Sequence, residues 1–579
     1  MKNSQDSPDL VEPAPFDQGS YAPRLRIACW GAALLLGALQ AWAGRHHVNA
    51  DGVSYLDLAD TYLQGGWRAI INGYWSPLYP WLLSWGLRIF RPFPYWDAPV
   101  AHLVNFAIYV GALGSFDFFW RACLRGVRGK SPTPPEEETV ALPEWAWLLL
   151  GFSLFVWTTL QFINLSGLTP DLCVATLDYL AAGLLVRIRL QPAGWRAFLA
   201  LGLVLGFGYL AKAPMFPMAF VFLGAGALAA GKVRLGLPRV AMSFLVFLLV
   251  ASPFLLALSR AKGRPTFGDS GKLNYAFYVD GFPAAHWQGV PPGSGVPLHP
   301  TRKVSDDPPI FEFAIPIHST YALAFDPSYW NEGIKTHFDV RKQVRVLLTS
   351  LIEYYPILVI APAALMVGVI TLLVASGRGR RIAGDAGKHM YLLIPALAAV
   401  GMYALVHVEG RFVAAYVVLF WAAILQGIRL PVSPESRRVA AAVSIALFAT
   451  LGVQIICRAA MDIHKGLADP GRLQWEVAEG MKRLGIEGGD KVASVETSHD
   501  FYWARLVKVS VVSEVYYENG DTLWWTADPQ MKARVFRTFA RTGAKVVVAD
   551  RMPPAPGTAD WQRVGNTPYY VHFLGRPGT

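Results

Sequence analysis

An acidic and aromatic segment follows the first long apolar run of the chain. It begins with the letters NADGVSYLD at positions 49–57 and contains Asp51, Tyr55 and, farther on, Tyr79. The carboxylate of Asp51 can serve as a general base if partial burial raises its pKa and a hydroxyl comes within reach. An Asp before a helical run is also a common N-cap, so both roles stay open. The two tyrosines are candidates for substrate binding.

Four further ionisable residues interrupt apolar sequence in short connections. Asp171 follows a Thr-Pro pair, which suits a helix start as well as a substrate-binding carboxylate. Lys212, in the sequence YLAKAPM, can bind an anion or extend its amine to the membrane interface. The planar guanidinium of Arg411 suits a phosphate diester, and Glu409 can orient it. A plain surface ion pair between Glu409 and Arg411 is the simpler alternative.

The spacing of metal and nucleotide ligands gives no support to cofactor chemistry. Three loop histidines and two aspartates fit no compact metal pattern: His286, His299, His318, Asp306 and Asp307. The 4 cysteines are scattered, with no CxxC pair. The sequence contains no glycine-rich phosphate loop, nucleophile elbow or zinc-binding His-Glu helix. We therefore assign no cofactor, and a divalent metal stays an open but unsupported alternative.

Composition decides what surrounds these residues. The chain has 579 residues, of which 53% are hydrophobic and only 16% charged, and its mean hydropathy is +0.33. Such a chain is too apolar for an ordinary soluble protein of this size, which indicates an integral membrane protein. The net charge of +11 comes from short basic clusters between apolar runs, as in cytoplasmic loops, so a nucleic-acid partner is not expected.

About eleven apolar runs are long enough to cross a bilayer. Their approximate centres are Leu35, Tyr109, Phe155, Leu180, Gly202, Phe222, Leu248, Leu365, Leu397, Leu419 and Leu447. Basic residues cluster at every second connection, which predicts a cytoplasmic N-terminus and an external C-terminus in the inner (plasma) membrane. Residues 1–23 are expected to form a disordered tail before an uncleaved signal anchor. Residues 24–460 are expected to form the membrane domain.

Three long segments lie outside the membrane in this topology: residues 44–97, 259–345 and 461–579. The first should include a helix at the interface, on which Asp57 and Asp60 are solvated or structural. The second is rich in Gly, Pro and aromatic residues and suggests a loop that covers a substrate. The third should form a small α/β domain. Its expected elements are a helix near 473–484, strands at 491–496 and 507–515, a helix at 529–542 and a strand at 545–549.

Five short motifs occur in a fixed order along the membrane part. They are ADGVSYLDLADTYLQGGW, YWSPLYPWLL, LSGLTPDL, YLAKAPM and EGRF. In this order the chain resembles the GT-C class of membrane glycosyltransferases, family 39-like, which includes protein mannosyltransferases and lipid A aminoarabinose transferases. The resemblance covers about residues 24–430. It predicts an α-helical polytopic membrane protein, and the small extracytoplasmic α/β domain expected at the C-terminus lies outside the resemblance.

The resemblance implies an inverting transfer from a polyprenyl-phosphate-linked sugar on the external face. The acceptor would be a glycan, lipid or protein, with membrane lipids around the enzyme. The resemblance places an acidic base at Asp51 and phosphate-binding positions at Arg411 and Lys212. Members of the class with an Asp-Glu pair have an acid where this chain has Gly52. A role that needs the second carboxylate is therefore not transferred.

Two other classes of protein are compatible with an apolar, multi-span chain. A multi-pass transporter of a lipid or sugar would place its charges along a path through the membrane and would contain inverted repeats. A membrane scaffold would use its C-terminal domain to recruit a partner. The charged candidates gather at one predicted face, which favours the transferase.

Overall fold

A computed structural model describes the chain in several stretches. These are residues 18–66, 71–128, 139–140, 142–284, 286–289, 298–299, 301–313, 319–375, 387–431, 433–495, 501–515, 525, 527–550 and 560–575. His318 and residues 1–17 of the predicted tail lie outside them. The first helix begins at Gln18, so the end of the predicted tail is helical.

Long apolar runs become helices because a helix satisfies its own backbone hydrogen bonds within lipid. In the first half the helices are α1 Gln18–Ala43, α2 Ala50–Leu63, α3 Leu78–Phe90, α4 Asp97–Arg128, α5 Glu144–Thr158, α6 Asp171–Leu190, α7 Trp195–Ala211, α8 Met215–Ala230, α9 Val233–Ala261 and α10 Ser270–Tyr275. In the second half they are α11 Ala322–Phe325, α12 Pro327–Trp330, α13 Val340–Tyr354, α14 Ala363–Ala375, α15 Met390–Ala404, α16 Gly410–Gly427, α17 Pro434–Ala468, α18 Arg472–Arg483, α19 Tyr502–Val507 and α20 Pro529–Arg541.

All the predicted span centres lie on helices. Within the described residues, 7 helical segments are long and apolar enough to cross a membrane by length and composition, and α7, α8, α14 and α15 are shorter apolar helices. The chain is a multi-pass membrane protein, as the sequence predicted. Its core is aromatic: Trp120, Trp147 and Tyr179 are almost fully buried between neighbouring helices.

The stretch from α13 to α14 differs from the sequence prediction. α13 begins inside residues 259–345, which were expected to be loop. Gln343 donates a hydrogen bond to the carbonyl of Leu405 at 2.9 Å, and Tyr354 donates to the carbonyl of Val400 at 2.8 Å. The partners step down α15 as the chain advances along α13. α13 therefore lies beside α15 and continues into an irregular π segment, Tyr355–Ile360. α14 follows after a short turn and packs against α17.

One seven-stranded sheet covers one end of the helix bundle, which we call the sheet side. Its strands are β2 Thr301–Asp306, β3 Pro309–Phe313, β5 Lys491–Val495, β6 Ser510–Val515, β7 Val546–Ala549, β8 Gln562–Arg563 and β9 Tyr570–Phe573, in the order β2-β3-β6-β5-β7-β9-β8. The remaining strands, β1 Thr139–Val140 and β4 Leu430–Pro431, form a separate two-stranded pair.

The sheet joins two parts of the chain that the sequence suggested were separate. β3, from the stretch predicted to be a covering loop, pairs antiparallel with β6 from the C-terminal part. α17 also continues to Ala468, past the expected domain boundary at residue 461. Four expected C-terminal elements lie close to their predicted positions. The fifth element, a strand expected at 507–515, begins later, at Ser510, and follows α19 at Tyr502–Val507.

Candidate active site

Five charged residues that lie far apart in the sequence come together on the sheet side of the bundle. They line one cavity of about 400 Å³, which we call the charged cavity. Helix ends position most of them: Asp51 and Asp171 lie in the first turns of α2 and α6, and Lys212 directly follows α7. Glu409 and Arg411 flank the start of α16. The structure therefore brings together the charged residues that the sequence selected.

Arg411 is the centre of the charge arrangement. Its Nη1 lies 3.6 Å from Oδ2 of Asp51 and 3.7 Å from Oδ2 of Asp171, and its Nε donates to Glu409 at 2.5 Å. The guanidinium thus bridges three carboxylates that belong to three different connections. The first two distances exceed hydrogen-bond length, so this face of the guanidinium can turn to an incoming anion.

Lys212 is held between a carboxylate and an aromatic ring. Its Nζ donates to Oδ1 of Asp171 at 2.6 Å and lies 4.0 Å from the ring centre of Phe412. A cation over an aromatic face is attracted by the ring quadrupole. The amine therefore faces the charged cavity.

Asp51 is not the N-cap of its helix. The N-cap position is Asn49, and Asp51 lies within the first turn of α2, where the helix dipole favours a negative charge. Its side chain is 38% exposed, and it lines the charged cavity. Burial raises the pKa of Asp51 above its ordinary value of 3.8, the charge of Arg411 opposes this rise, and Glu409 adds to it. A carboxylate with a raised pKa is a stronger base.

Glu409 has the opposite electrostatic character. Burial alone would raise the pKa of Glu409, but hydrogen bonds from His407 and Arg411 and the charges of both lower it to about 2. Glu409 therefore stays ionised across the physiological range. Its role in this geometry is to orient the guanidinium of Arg411.

The two candidate tyrosines lie in different surroundings. Tyr55 lines the charged cavity, whereas Tyr79 lies behind it, 5.0 Å from Tyr55 between ring centres. Tyr79 is fully buried and donates to Oδ1 of Asn105 at 2.7 Å. Tyr79 thus supports the wall that Tyr55 belongs to, which differs from the direct substrate contact that the sequence suggested.

Sequence reasoning missed several residues of the cavity. Tyr74 donates to Oδ1 of Asn274 at 3.1 Å, and Tyr278 stacks on His407 at 4.2 Å. Tyr278 belongs to the π-helical segment Ala276–Asp280, an irregularity that often marks functional sites but that single-sequence patterns do not show. Tyr74, Asn274, Tyr278 and His407 all line the charged cavity.

His286 and His299, two of the histidines considered as metal ligands, have different partners. His286 is bound by Glu514, and His299 stacks on Tyr329 at 3.8 Å. Within the described residues no group of three or more His, Cys, Asp or Glu could hold a metal ion.

Gly52 stands where the resemblance leads one to expect an acid. A Cβ at this position would lie 2.9 Å from Cβ of Leu168 and 2.9 Å from Oδ1 of Asn49. The same Asn49 oxygen accepts from the backbone N–H of Leu168 at 2.9 Å. Any side chain at position 52 would push α2 away from the connection before α6, so close packing explains the glycine.

A second cavity lies beside the charged cavity along α15 and α16. It measures about 410 Å³ and is lined almost entirely by apolar groups, among them Met366, Leu397 and Phe420. We call it the apolar cavity. The same two helices line the charged cavity through Tyr403 and Phe412.

The comparison with solved structures shows the fold. No protein-family model and no curated protein matches the sequence. The structure is similar to ArnT from Cupriavidus metallidurans bound to undecaprenyl phosphate, with 13% identity, a TM-score of 0.52, and coverage of 94% of this chain and 97% of that one. The apo state of the same ArnT gives 13% identity, a TM-score of 0.48, and coverage of 95% and 98%.

A third solved structure is more distant. It is the oligosaccharyltransferase of Archaeoglobus fulgidus in complex with zinc and sulfate, with 12% identity, a TM-score of 0.39, and coverage of 90% of this chain and 68% of that one. The likeness to ArnT, a lipid A aminoarabinose transferase, extends over nearly the whole of both chains. The chain therefore has the GT-C fold that its motifs predicted.

Proposed function

We propose that the protein is a membrane glycosyltransferase that moves a sugar from a polyprenyl-phosphate donor to an acceptor hydroxyl or amine. The observation that carries this proposal is the position of Arg411, between Asp51 and Asp171 in a cavity that shares two helices with an apolar cavity. A lipid phosphate needs both a cationic site and an apolar one. Undecaprenyl phosphate bound to the ArnT structure supports the same class of donor.

In the proposed reaction the acceptor attacks the anomeric carbon of the sugar and inverts it. Asp51 takes the proton that the acceptor loses. The bond between the anomeric carbon and the phosphate oxygen breaks, and its electron pair stays on the leaving polyprenyl phosphate. Arg411 and Lys212 stabilise the negative charge that grows there. The polyprenyl chain lies in the apolar cavity, and the site faces the external side of the inner membrane.

Transfer and transport differ in the fate of the sugar–phosphate bond. We expect purified protein in detergent, given a polyprenyl-phosphate sugar and candidate acceptors, to release free polyprenyl phosphate in an amount equal to the glycosylated product. Mass spectrometry of the lipid that co-purifies with the protein should identify the donor class. Movement of intact donor across a vesicle membrane, with no bond cleavage, would instead support a transporter.

The pH dependence of transfer should report the ionisation of Asp51. Protonation removes the base, so the rate falls as pH is lowered through the pKa of Asp51, and burial places that midpoint above the ordinary value of 3.8. Glu409 raises the pKa of Asp51, so Glu409→Gln should move the midpoint of the residual activity to lower pH. The profile of kcat/KM against pH measures both. A midpoint at or below 3.8 in the parent protein would assign the base elsewhere.

A further inference from the structure

The helix that carries Asp51 is held from its opposite face. At about 100° per residue, Asp51 and Tyr55 lie on one side of α2, and Asp57 and Asp60 lie on the other. Asp57 is buried, with 8% of its surface exposed, and it is not among the residues that line the charged cavity. Its polar partners come from Thr320 and from Arg505 in the C-terminal part of the chain.

Arg505, in α19, reaches across to this face. Its Nη1 lies 2.7 Å from Oδ1 of Asp57 and 2.8 Å from Oδ2 of Asp60. Its Nη2 lies 3.2 Å from Oδ2 of Asp97, at the start of α4. One rigid guanidinium thus joins two carboxylates on α2 to a third at the start of α4. These contacts fix the rotation of α2 about its axis and its position relative to α4.

A second contact from the sheet reinforces the first. The backbone N–H and the hydroxyl of Thr320 donate to the Asp57 carboxylate at 2.8 and 3.0 Å. Thr320 is itself tied to the sheet, because its carbonyl accepts from the backbone N–H of Val511 at 3.0 Å. Ser54, also on α2, donates to the carbonyl of Ala324 at 2.9 Å.

We propose that Arg505 is a positioning residue for the transfer reaction, and that the C-terminal part of the chain sets the place of Asp51 in the charged cavity. The proposal rests on the proposed function, since it assigns a purpose to the location of Asp51. Arg411 lies in α16 and Lys212 follows α7, and among the described ion pairs Arg505 joins only Asp57, Asp60 and Asp97. Donor binding and proton transfer therefore depend on separate parts of the fold.

The test compares Arg505→Met, Arg505→Lys and Asp57→Asn with a matched control, Arg472→Met. Arg472 lies in the same part of the chain, 62% exposed, and pairs only with Glu476 among the described ion pairs.

We expect Arg505→Met to lower kcat by about 100-fold while KM for the donor stays near that of the parent, because a displacement of about 1 Å is enough for such a loss. Arg505→Lys keeps the charge but not the planar guanidinium, so its kcat should lie between that of Arg505→Met and that of the parent. Arg472→Met should match the parent.

Hydrogen exchange measures positioning without any activity assay. In Arg505→Met, amides of α2 should exchange faster than in the parent, while those of α6 and α16 stay protected. Unchanged exchange in α2 together with unchanged kcat would overturn the proposal. Faster exchange throughout the bundle would also overturn it, because Arg505 would then hold the whole fold. If the parent transfers no sugar, the proposed function fails, and exchange in α2 alone decides whether Arg505 positions this helix.

Discussion

Asp51→Asn should lower kcat for sugar transfer by about 10²- to 10⁴-fold, the range typical of losing a general base. The amide keeps the size of the side chain and its place in the first turn of α2, but it cannot accept the acceptor's proton. The donor should bind as in the parent, because Arg411 and Lys212 are the proposed ligands of its phosphate. Single-turnover transfer of a labelled sugar, measured at saturating donor, separates the chemical step from binding.

The matched control for this variant is Asp306→Asn, which makes the same chemical change on a carboxylate that is 90% exposed in the β2–β3 hairpin. It should transfer sugar at the parental rate. If Asp51→Asn were as fast as this control, Asp51 would not be the base, and Asp171 would become the next carboxylate to test.

Arg411→Ala should abolish productive binding of the donor phosphate and lower kcat/KM by about 10²- to 10³-fold, as when a preorganised donor to developing charge is removed. The variant leaves Asp51, Asp171 and Glu409 in one cavity, with Lys212 beside Asp171 and His407 beside Glu409 among the described ion pairs. Binding of a polyprenyl phosphate, measured by the quenching of tryptophan fluorescence or by calorimetry, should weaken in parallel.

Two further variants make this result specific. Arg411→Lys keeps the positive charge but loses the planar guanidinium, and it should recover part of the donor binding. It therefore tests whether the weaker binding of Arg411→Ala is due only to the uncompensated negative charge of the carboxylates. Arg438→Ala removes an exposed arginine from the first turns of α17 and should bind the donor normally. Normal donor binding by Arg411→Ala would remove the phosphate role from Arg411.

The charged part of the site could be predicted from the sequence because lipid makes polar residues conspicuous. Asp171, Lys212 and Arg411 each interrupt an apolar run, and the cost of placing a charge there marks them as candidates. The topology then predicted that they share one side of the membrane. A shared side made a common site for these residues plausible, but the topology did not predict the distances between them.

The neutral part of the site and the joined sheet could not be predicted in this way. Asn274 and Tyr278 lie in a polar stretch where no periodic pattern distinguishes them from their neighbours. The pairing of β3 with β6 depends on a register between distant segments, which neither segment encodes alone. Arg505 gave no signal either, because a single arginine in a soluble segment is ordinary.

The joined sheet also sets an order of events during synthesis. β3 and β6 are separated by about 200 residues that include several membrane helices, so this pairing is among the last contacts the growing chain can make. All five charged residues of the cavity, from Asp51 to Arg411, precede α17. A ribosome that has just completed α17 has therefore made every charged group of the site, but not yet Arg505. Chemical competence would then arrive only with the final fifth of the protein, and unfinished chains would stay inactive in the membrane.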